Sequence, residues 1–473
     1  MRKRIFSAAG IFLGLVLLGG LSRVLEANYD GNQAFAGFYA LDEQTVDVMF
    51  YGSSHIYSGV NPATLWAEFG ISAYNLAGTY QYLWNSYYNM EETLKYQRPE
   101  VMVVDLYGAT FDEEYGETTN FVKNVSSMRF SLNKVRNVYA SVPKEKFLES
   151  LMGYPLVHDS YPELSRGNYE RGSDLIGGDC YKGFRASFEI TAFDSLPDRW
   201  GGVKAEREST EKNLKYLEKM VKLAEKEDVE LLFIVVPYAG YGEVDAEYYN
   251  WAERFATENG VGFLNGNELA EEIGLDGFSD FAEESHMNYS GAEKFSRYLG
   301  DYLKGNYILP DRRGEEAYDS WDEYSDCWER YLWGRELKKL DELGTYLIEL
   351  ASREDYIIVL SFQGDYHELD GLEKGLSALG KVWQPDGGEG ITVIENGESL
   401  YSSPQEAEYL WYLEMGKSDL AVRREYGGNQ EIIVDRQIQN KVENGLNVYV
   451  YDRRLDMPVD SVGFGSEGNR AYR

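Results

Sequence analysis

The sequence predicts an α/β fold: a parallel sheet flanked by helices over residues 28–312, followed by a smaller α+β or β-rich domain over 313–473. Two observations predict it. Short apolar runs of strand length, Val46–Tyr51, Val101–Val104 and Leu231–Val236, alternate with segments of helical periodicity. Strands buried on both faces of a parallel sheet read as such uninterrupted apolar runs. Beyond about residue 305 the alternation gives way to several short strands separated by turn residues.

Taken in order, Val46–Tyr51 is the first strand and ends at Gly52-Ser53-Ser54-His55. Ile71–Leu76 is a second strand, ending at Ala77-Gly78. Leu83, Tyr87, Met90 and Leu94 are four, three and four apart, so they share one face of a helix. Pro99 is expected to stop that helix before the strand Val101–Val104. Leu214, Leu217, Met220, Val221 and Ala224 mark another amphipathic helix, which leads into the strand Leu231–Val236 and Pro237. A further amphipathic segment runs over Ala292–Leu303. Residues 120–205 are less periodic and rich in Tyr, Gly and charge; they read as an insertion, a lid or a substrate wall. Pro310-Asp-Arg-Arg-Gly314 reads as a linker. After it come a helix at Leu343–Leu350, a strand at Tyr356–Leu360 and a helix at Leu369–Leu379. Strands at Ile391–Ile394, Glu431–Val434 and Leu446–Tyr451 follow, with turns at Glu395-Asn-Gly397 and Asn444-Gly445.

Composition narrows the function. At 473 residues the chain is long for one domain, and 43% apolar residues suffice for sizeable cores. A net charge of −34 repels phosphate backbones, so nucleic acid is a poor partner, and it equally disfavours adsorption to anionic lipid. The 39 Tyr and 9 Trp chiefly fill cores, while exposed ones make flat platforms for sugar rings.

The N-terminus sets the expected compartment. Basic Met1-Arg-Lys-Arg4 precedes Ile5–Leu21, a stretch without charge. Its length is at the low end of the ~17–25 residues that span a bilayer. No small-x-small cleavage site stands in Ser22–Asn28, and no Cys is there to accept lipid. Residues 1–27 therefore read as an uncleaved signal anchor in preference to a cleaved signal peptide. Either reading places the bulk of the chain outside the cell membrane. Cys180 and Cys327 are expected to be either isolated thiols or a disulfide, which export permits. The four histidines have no close Cys or His spacing, so no metal site and no cofactor are expected.

Two short stretches carry candidate chemistry. Gly52-Ser53-Ser54-His55 stands at the carboxyl end of a strand, where open parallel sheets place working residues. Phe281-Ala-Glu-Glu-Ser-His-Met-Asn-Tyr-Ser-Gly291 places His286 just before a helix, with Glu283 and Asp280 upstream. A serine nucleophile needs a base within hydrogen-bond reach, and that base needs an acceptor to fix its tautomer. Glu283, three residues before His286, can supply it. Asn288 and Gly291 suit the turn into the helix.

Together the two stretches resemble the SGNH (GDSL-like) hydrolase superfamily, most closely its membrane-anchored branch with DltD and the alginate O-acetylation proteins. The first block of that superfamily matches Gly52, Ser53 and Ser54, which makes Ser54 the nucleophile. The last block matches Glu283, His286, Met287, Asn288 and Gly291, with Asp280 as fallback for the carboxylate, because Glu283 stands where an Asp is usual. The middle block matches Asn75-Leu-Ala-Gly78, which implies that the N–H groups of Ser54 and Gly78 form the oxyanion hole. A third block, whose Asn donates to the oxyanion, has no match after Val104, where the chain reads Asp105-Leu-Tyr-Gly108. Gln81 is the substitute donor, and Asp105 reads as structural. The resemblance covers about residues 40–305. In the C-terminal domain, Asn444–Asp452 with Val459–Val462, and Tyr356–Ser361 with Leu369–Gly380, resemble the two halves of the ILEI/PANDER-type domain in opposite order. That resemblance implies a glycan- or partner-binding module; a generic β-rich accessory domain is the alternative.

These resemblances imply a serine-dependent esterase or acyltransferase that works through an acyl-serine intermediate. Its substrate would be an acyl ester of a cell-envelope polysaccharide or teichoic-acid-like polymer, and the transferase version implies a multi-pass MBOAT-type acyltransferase as partner. The competing expectation is an inactive anchored glycan-binding or assembly protein, favoured by the missing third block.

Overall fold

The computed structural model describes residues 31–152, 182–193, 202–380, 389–403, 408–416, 418–425, 429–465 and 470–473. The expected anchor, residues 1–27, and Cys180, one half of the expected thiol pair, lie outside the described residues. Among the described residues no helix is long and apolar enough to cross a membrane.

The chain divides into two compact units, Met1–Ser325 and Asp326–Arg473. The first is built on five parallel strands: β1 (Val48–Gly52), β2 (Ala73–Ala77), β3 (Val101–Asp105), β4 (Glu230–Val235) and β5 (Gly262–Asn265), in the order β2-β1-β3-β4-β5. Side chains alternate between two apolar cores, as a period of two requires. Met49, Tyr51, Met102, Val104, Phe233 and Val235 face one core. Val48, Phe50, Val101, Val103, Leu232 and Ile234 face the other. Helices cover both faces, so the α/β architecture matches the expectation, with the working ends of the strands at Gly52, Ala77 and Asp105.

Several boundaries differ from expectation for local reasons. The helix of Leu83 ends at Thr93, well before Pro99, so the proline does not terminate it. Strand β5 and the helix Glu243–Glu258 were not expected. β5 is short and bounded by Gly262 and Gly266, and carries little apolar signal. The expected linker at Pro310–Gly314 is packed against the first unit. Arg312 pairs with buried Asp47 at 3.1 Å, and the Arg312 N–H donates to the Gly70 carbonyl at 3.1 Å. Trp321 and Tyr324 then hydrogen-bond to Ala73 O and Asn61 Oδ1. The division accordingly falls later than 312, inside the helix Asp319–Leu337.

The insertion is partly helical, with Leu132–Ser141 its longest described helix. Residues 182–193 form neither helix nor strand. They run as a strap held by backbone hydrogen bonds to successive parts of the unit. Asn75 N–H donates to Lys182 O, Arg185 N–H to Tyr57 O, Tyr289 N–H to Ser187 O, and Thr191 N–H to Phe281 O.

The second unit holds a six-stranded antiparallel sheet of strands β8 (Tyr356–Gln363), β9 (Gly390–Glu395), β10 (Glu398–Ser402), β15 (Gly445–Asp452), β16 (Met457–Gly465) and β17 (Ala471–Tyr472), in the order β10-β9-β8-β15-β16-β17. One face packs under the helices Leu343–Leu350 and Leu372–Ala378. The other packs on a four-stranded sheet of β11 (Tyr409–Glu414), β12 (Asp419–Arg424), β13 (Gln430–Val434) and β14 (Gln437–Ile438). The β-rich domain is as expected. The turn at Asn396-Gly397 joins β9 to β10, with both residues at positive φ (50° and 74°), the geometry a two-residue hairpin loop needs. Asn444-Gly445 is not a turn. Gly445 opens β15, and a Cβ there would lie 2.0 Å from the Phe464 carbonyl oxygen. The helix expected from Leu369 starts at Leu372, because Gly371 before it sits at φ 80°.

Candidate active site

The nucleophile turn is dictated by crowding. Gly52 ends β1 at φ 154°, and a Cβ there would lie 2.7 Å from Asp105 Cβ, so the strand must leave the sheet through a glycine. Ser53 then caps the short helix Ser54–Gly59, its Oγ accepting from His55 N–H at 3.2 Å and donating to Asp105 Oδ2 at 3.4 Å. Ser53 is thereby spent on the turn. Ser54 begins the helix and points at the opposite stretch.

That stretch is a two-stranded hairpin, β6 (Phe281–Glu283) and β7 (His286–Met287), followed by the helix Tyr289–Asn306. Asn288 caps the helix, accepting from Ser290 and Gly291 N–H, and donates from Nδ2 to Ser279 O and Glu189 O. Gly291 is required by close approach, since a Cβ would lie 2.3 Å from Asp280 O. The hairpin tip is fixed by the loop after β4, where Gly240 N–H donates to Glu284 O at 2.7 Å.

The two stretches meet. His286 Nε2 lies 2.6 Å from Ser54 Oγ, and His286 Nδ1 is hydrogen-bonded to Glu283 Oε1. A carboxylate only accepts, so Nδ1 carries the proton and donates. Nε2 is then the acceptor for the serine hydroxyl, which is the tautomer a general base needs. The other Glu283 oxygen accepts from Ser285 N–H at 2.9 Å, which holds the carboxylate edge toward the ring. Ser54 is buried, the His286 side chain is 29% exposed and that of Glu283 is 50% exposed, so the pair opens to solvent on the hairpin side.

The fallback carboxylate is placed elsewhere. Asp280 is fully buried and takes Lys294 Nζ at 2.6 Å, Ser290 Oγ at 2.8 Å and Asp276 N–H at 2.7 Å. It ties the loop to the helix Tyr289–Asn306 and takes no part in orienting His286.

The expected oxyanion donors are corrected in two places. The Gly78 N–H donates to the Gly52 carbonyl at 3.2 Å, extending the β1–β2 ladder by one bond. Gln81 is buried with its amide turned inward. Its Nε2 donates to Ser86 Oγ, and its Oε1 accepts from Asn89 Nδ2. Among the described residues, the N–H groups of Ser54, Thr79 and Tyr80 have no intramolecular acceptor. The loop that carries Thr79 and Tyr80 is held by Asn124 of the insertion, whose Nδ2 donates to Thr79 O at 2.9 Å.

Behind the pair sit His55, to which the sequence assigns no role, and Asp105, expected to be structural. The His55 ring is 1% exposed, stacks on Tyr107 at 3.9 Å and meets the His286 ring edge-on at 5.6 Å. Neither of its nitrogens has a partner among the described residues, and burial, aided by His286, drives its pKa well below the usual histidine value. His55 is therefore neutral. Asp105 is the buried link between three strands, taking Val236 N–H and the Ser53 hydroxyl. Burial lifts its carboxyl to about 7 against the pull of those hydrogen bonds. Tyr107, Tyr80 and Phe111 continue the aromatic wall outward, and burial lifts the Tyr107 phenol to about 12. The signal that could have found His55 is position alone, since it follows the tip of β1, whereas Asp105 is the last residue of β3 and holds the turn there.

No protein-family model matches this chain, and no curated protein matches it. Among solved structures it is similar to a chain described as a lipolytic protein of the G-D-S-L family, from Desulfitobacterium hafniense DCB-2. The identity is 12%, the match covers 54% of this chain and 98% of that one, and the TM-score is 0.28. A likeness at that level leaves the chemistry to be read from Ser54, His286 and Glu283 themselves.

Proposed function

We propose that the first unit is a serine-dependent esterase or O-acyltransferase of the SGNH type. The 2.6 Å approach of Ser54 Oγ to His286 Nε2, with Glu283 on the opposite ring nitrogen, carries this reading. As Ser54 Oγ bonds to an ester carbonyl carbon, its proton passes to His286 Nε2, and Glu283 stabilises the imidazolium. The Ser54 N–H, with a donor from the Thr79–Tyr80 turn, faces the developing oxyanion. Collapse breaks the carbonyl–alkoxy bond, the departing alcohol takes the proton from His286, and acyl-Ser54 remains. Water or a sugar hydroxyl then gives its proton to His286 and attacks the acyl carbon, which returns Ser54 as the free hydroxyl.

The substrate class we infer is an acyl ester of a cell-envelope glycan or teichoic-acid-like polymer, reached from an N-terminal anchor in residues 1–27. The membrane-anchored branch it resembles supports that choice, and supports an MBOAT-type acyltransferase as the acyl donor's source. The ILEI-like reading of the second unit would make it a glycan- or partner-binding module.

One observation favours a second reading, an inactive binding protein: Gly78 N–H and the Gln81 amide are both committed to other partners. Removing a single oxyanion donor costs about 10²–10³ in rate. The deciding experiment incubates the full-length chain with a fluorophosphonate and maps the adduct. Labelling of Ser54 that disappears in His286→Ala supports the enzyme; an unlabelled Ser54 leaves the binding protein.

A further inference from the structure

We propose that the first unit carries a second ligand site, separate from Ser54, which binds a sugar ring bearing an acidic group, a carboxylate or a phosphate. The site is a groove of about 630 Å³ between the helix Glu211–Glu227 and the segment that follows β3. Lys212, Lys215 and Lys219 line one side at helical spacing, and Tyr115, Tyr139 and Tyr216 line the others.

The groove lysines lack a paired counter-charge among the described residues. The chain holds 80 acidic residues against 46 basic ones, so a lysine has abundant carboxylates to choose from. Further along the same helix the lysines choose them: Lys222 pairs with Glu218 at 3.7 Å, and Lys226 with Glu227. The three groove lysines make no ion pair with any described residue. Lys212 lies over the Trp84 ring at 3.5 Å and the Tyr115 ring at 4.5 Å, and donates to the Ala140 carbonyl at 2.7 Å. Lys219 lies over Tyr216 at 4.7 Å and Tyr87 at 4.9 Å. Acidic groups do face the groove, namely Asp112, Glu114 and Glu211. Asp112 is engaged by the Tyr248 hydroxyl at 2.9 Å, and Lys212 Nζ donates to the Glu114 backbone carbonyl while the Glu114 carboxylate acts on it without a salt bridge.

The lysines also crowd one another. Burial, with the charge of Lys215, lowers Lys212 to about 8, partly offset by Glu114. Burial, Lys215 and Arg136 lower Lys219, partly offset by Glu91. An anion placed among them relieves that repulsion. Lys212 also stands in the first turn of its helix, where the macrodipole disfavours a cation. Tyrosine faces beside ammonium groups supply the rest of the fit: aromatic rings cover the apolar face of a pyranose, and the ammonium groups take its acidic substituent.

The site does not depend on Ser54 chemistry, and the test separates the two. Full-length protein is titrated calorimetrically with glucose 6-phosphate, glucuronate, an oligoglucuronate, glucose and inorganic phosphate. The expected result is saturable binding of at least one acidic sugar, weaker or absent binding of glucose and phosphate, and at least a tenfold loss in the Lys215→Ala/Lys219→Ala double variant. Ser54→Ala should bind as the parent does. At pH 8 binding should take up protons, seen as a heat that varies with the buffer, because Lys212 is driven back to its charged form. Tighter binding of the oligomer identifies a polymer as the source, and equal binding identifies a free sugar acid. Absence of saturable binding, binding unchanged in the double variant, or phosphate and glucose binding as tightly as the acidic sugars overturns the proposal. Lys215 is exposed, and a lysine-to-alanine change there leaves the helix intact.

Discussion

His286 Nε2 and Ser54 Oγ lie 2.6 Å apart although the residues are separated by 232 positions. Each reaches the contact from a rigid support. Ser54 rises from the carboxyl end of β1 through a glycine that nothing larger can replace, and His286 stands on a hairpin pinned at its tip to the loop after β4. The contact is held by the strand ends of the sheet, so its chemistry can be tested residue by residue.

Substituting Ser54→Ala or His286→Ala should lower turnover of an activated acetate ester by about 10⁴-fold or more, since members of a triad act as a unit. The folded fraction, read by circular dichroism, should stay at the parental level. Comparable turnover in parent and Ser54→Ala would remove the catalytic assignment.

The two carboxylates near His286 should separate cleanly. Glu283→Gln should depress kcat by roughly 10²–10⁴-fold through the wrong tautomer, with little change in thermal midpoint. Asp280→Asn should do the reverse. It removes the negative charge that faces Lys294 and leaves one acceptor oxygen where two served three donors, for a loss of about 1–3 kcal/mol, and activity per folded molecule should survive at low temperature. An Asp280→Asn variant with parental stability would contradict the structural role.

Asp105 should make stability fall as pH rises. Its carboxyl is held at about 7 in the folded chain against an ordinary value of 3.8, so the folded state keeps a proton that the unfolded state releases. The favourable contribution is therefore full below about pH 4 and is lost progressively up to about pH 7. In Asp105→Asn, whose amide oxygen can still accept from Val236 N–H, this slope should vanish. Thermal midpoints at pH 5 and pH 8 for parent and variant measure it.

His55 should act in the opposite sense. Its folded pKa is depressed, so the folded state excludes a proton that the unfolded chain takes up below pH 6.5. Stability from this residue is present above that value and is lost as pH falls. His55→Phe keeps a ring against Tyr107 and should flatten the acid side of the stability profile. Between about pH 4 and 6.5 the two slopes oppose each other in the parent, so the single variants reveal what the parent conceals.

Much of the site was legible because its parts are local. The strand-to-turn passage at Gly52–Ser54 and the run from Glu283 through His286 to Asn288 each carry their own reason within a few residues: a glycine exit, a carboxylate beside an imidazole, a cap before a helix. The parts that were not legible are bonds made across the sheet. Gly78 was expected to offer its N–H to substrate, yet a parallel ladder claims it for Gly52. Gln81 looked free and is buried against Ser86 and Asn89. Pro310–Gly314 has the composition of a linker, but Arg312 finds Asp47.

By itself the sequence determined the alternation of strand and helix, the β-rich second unit, and the residue types able to run acyl chemistry. Those follow from periodicity and turn chemistry, which act over a few residues. Only the tertiary structure decided that Ser54 meets His286 while Ser53 is spent on a cap, that Glu283 faces the imidazole while Asp280 faces Lys294, and that three lysines line a groove without an ion pair to any described residue. Such choices depend on which polar group desolvates beside which partner, and that pairing exists only once distant segments pack.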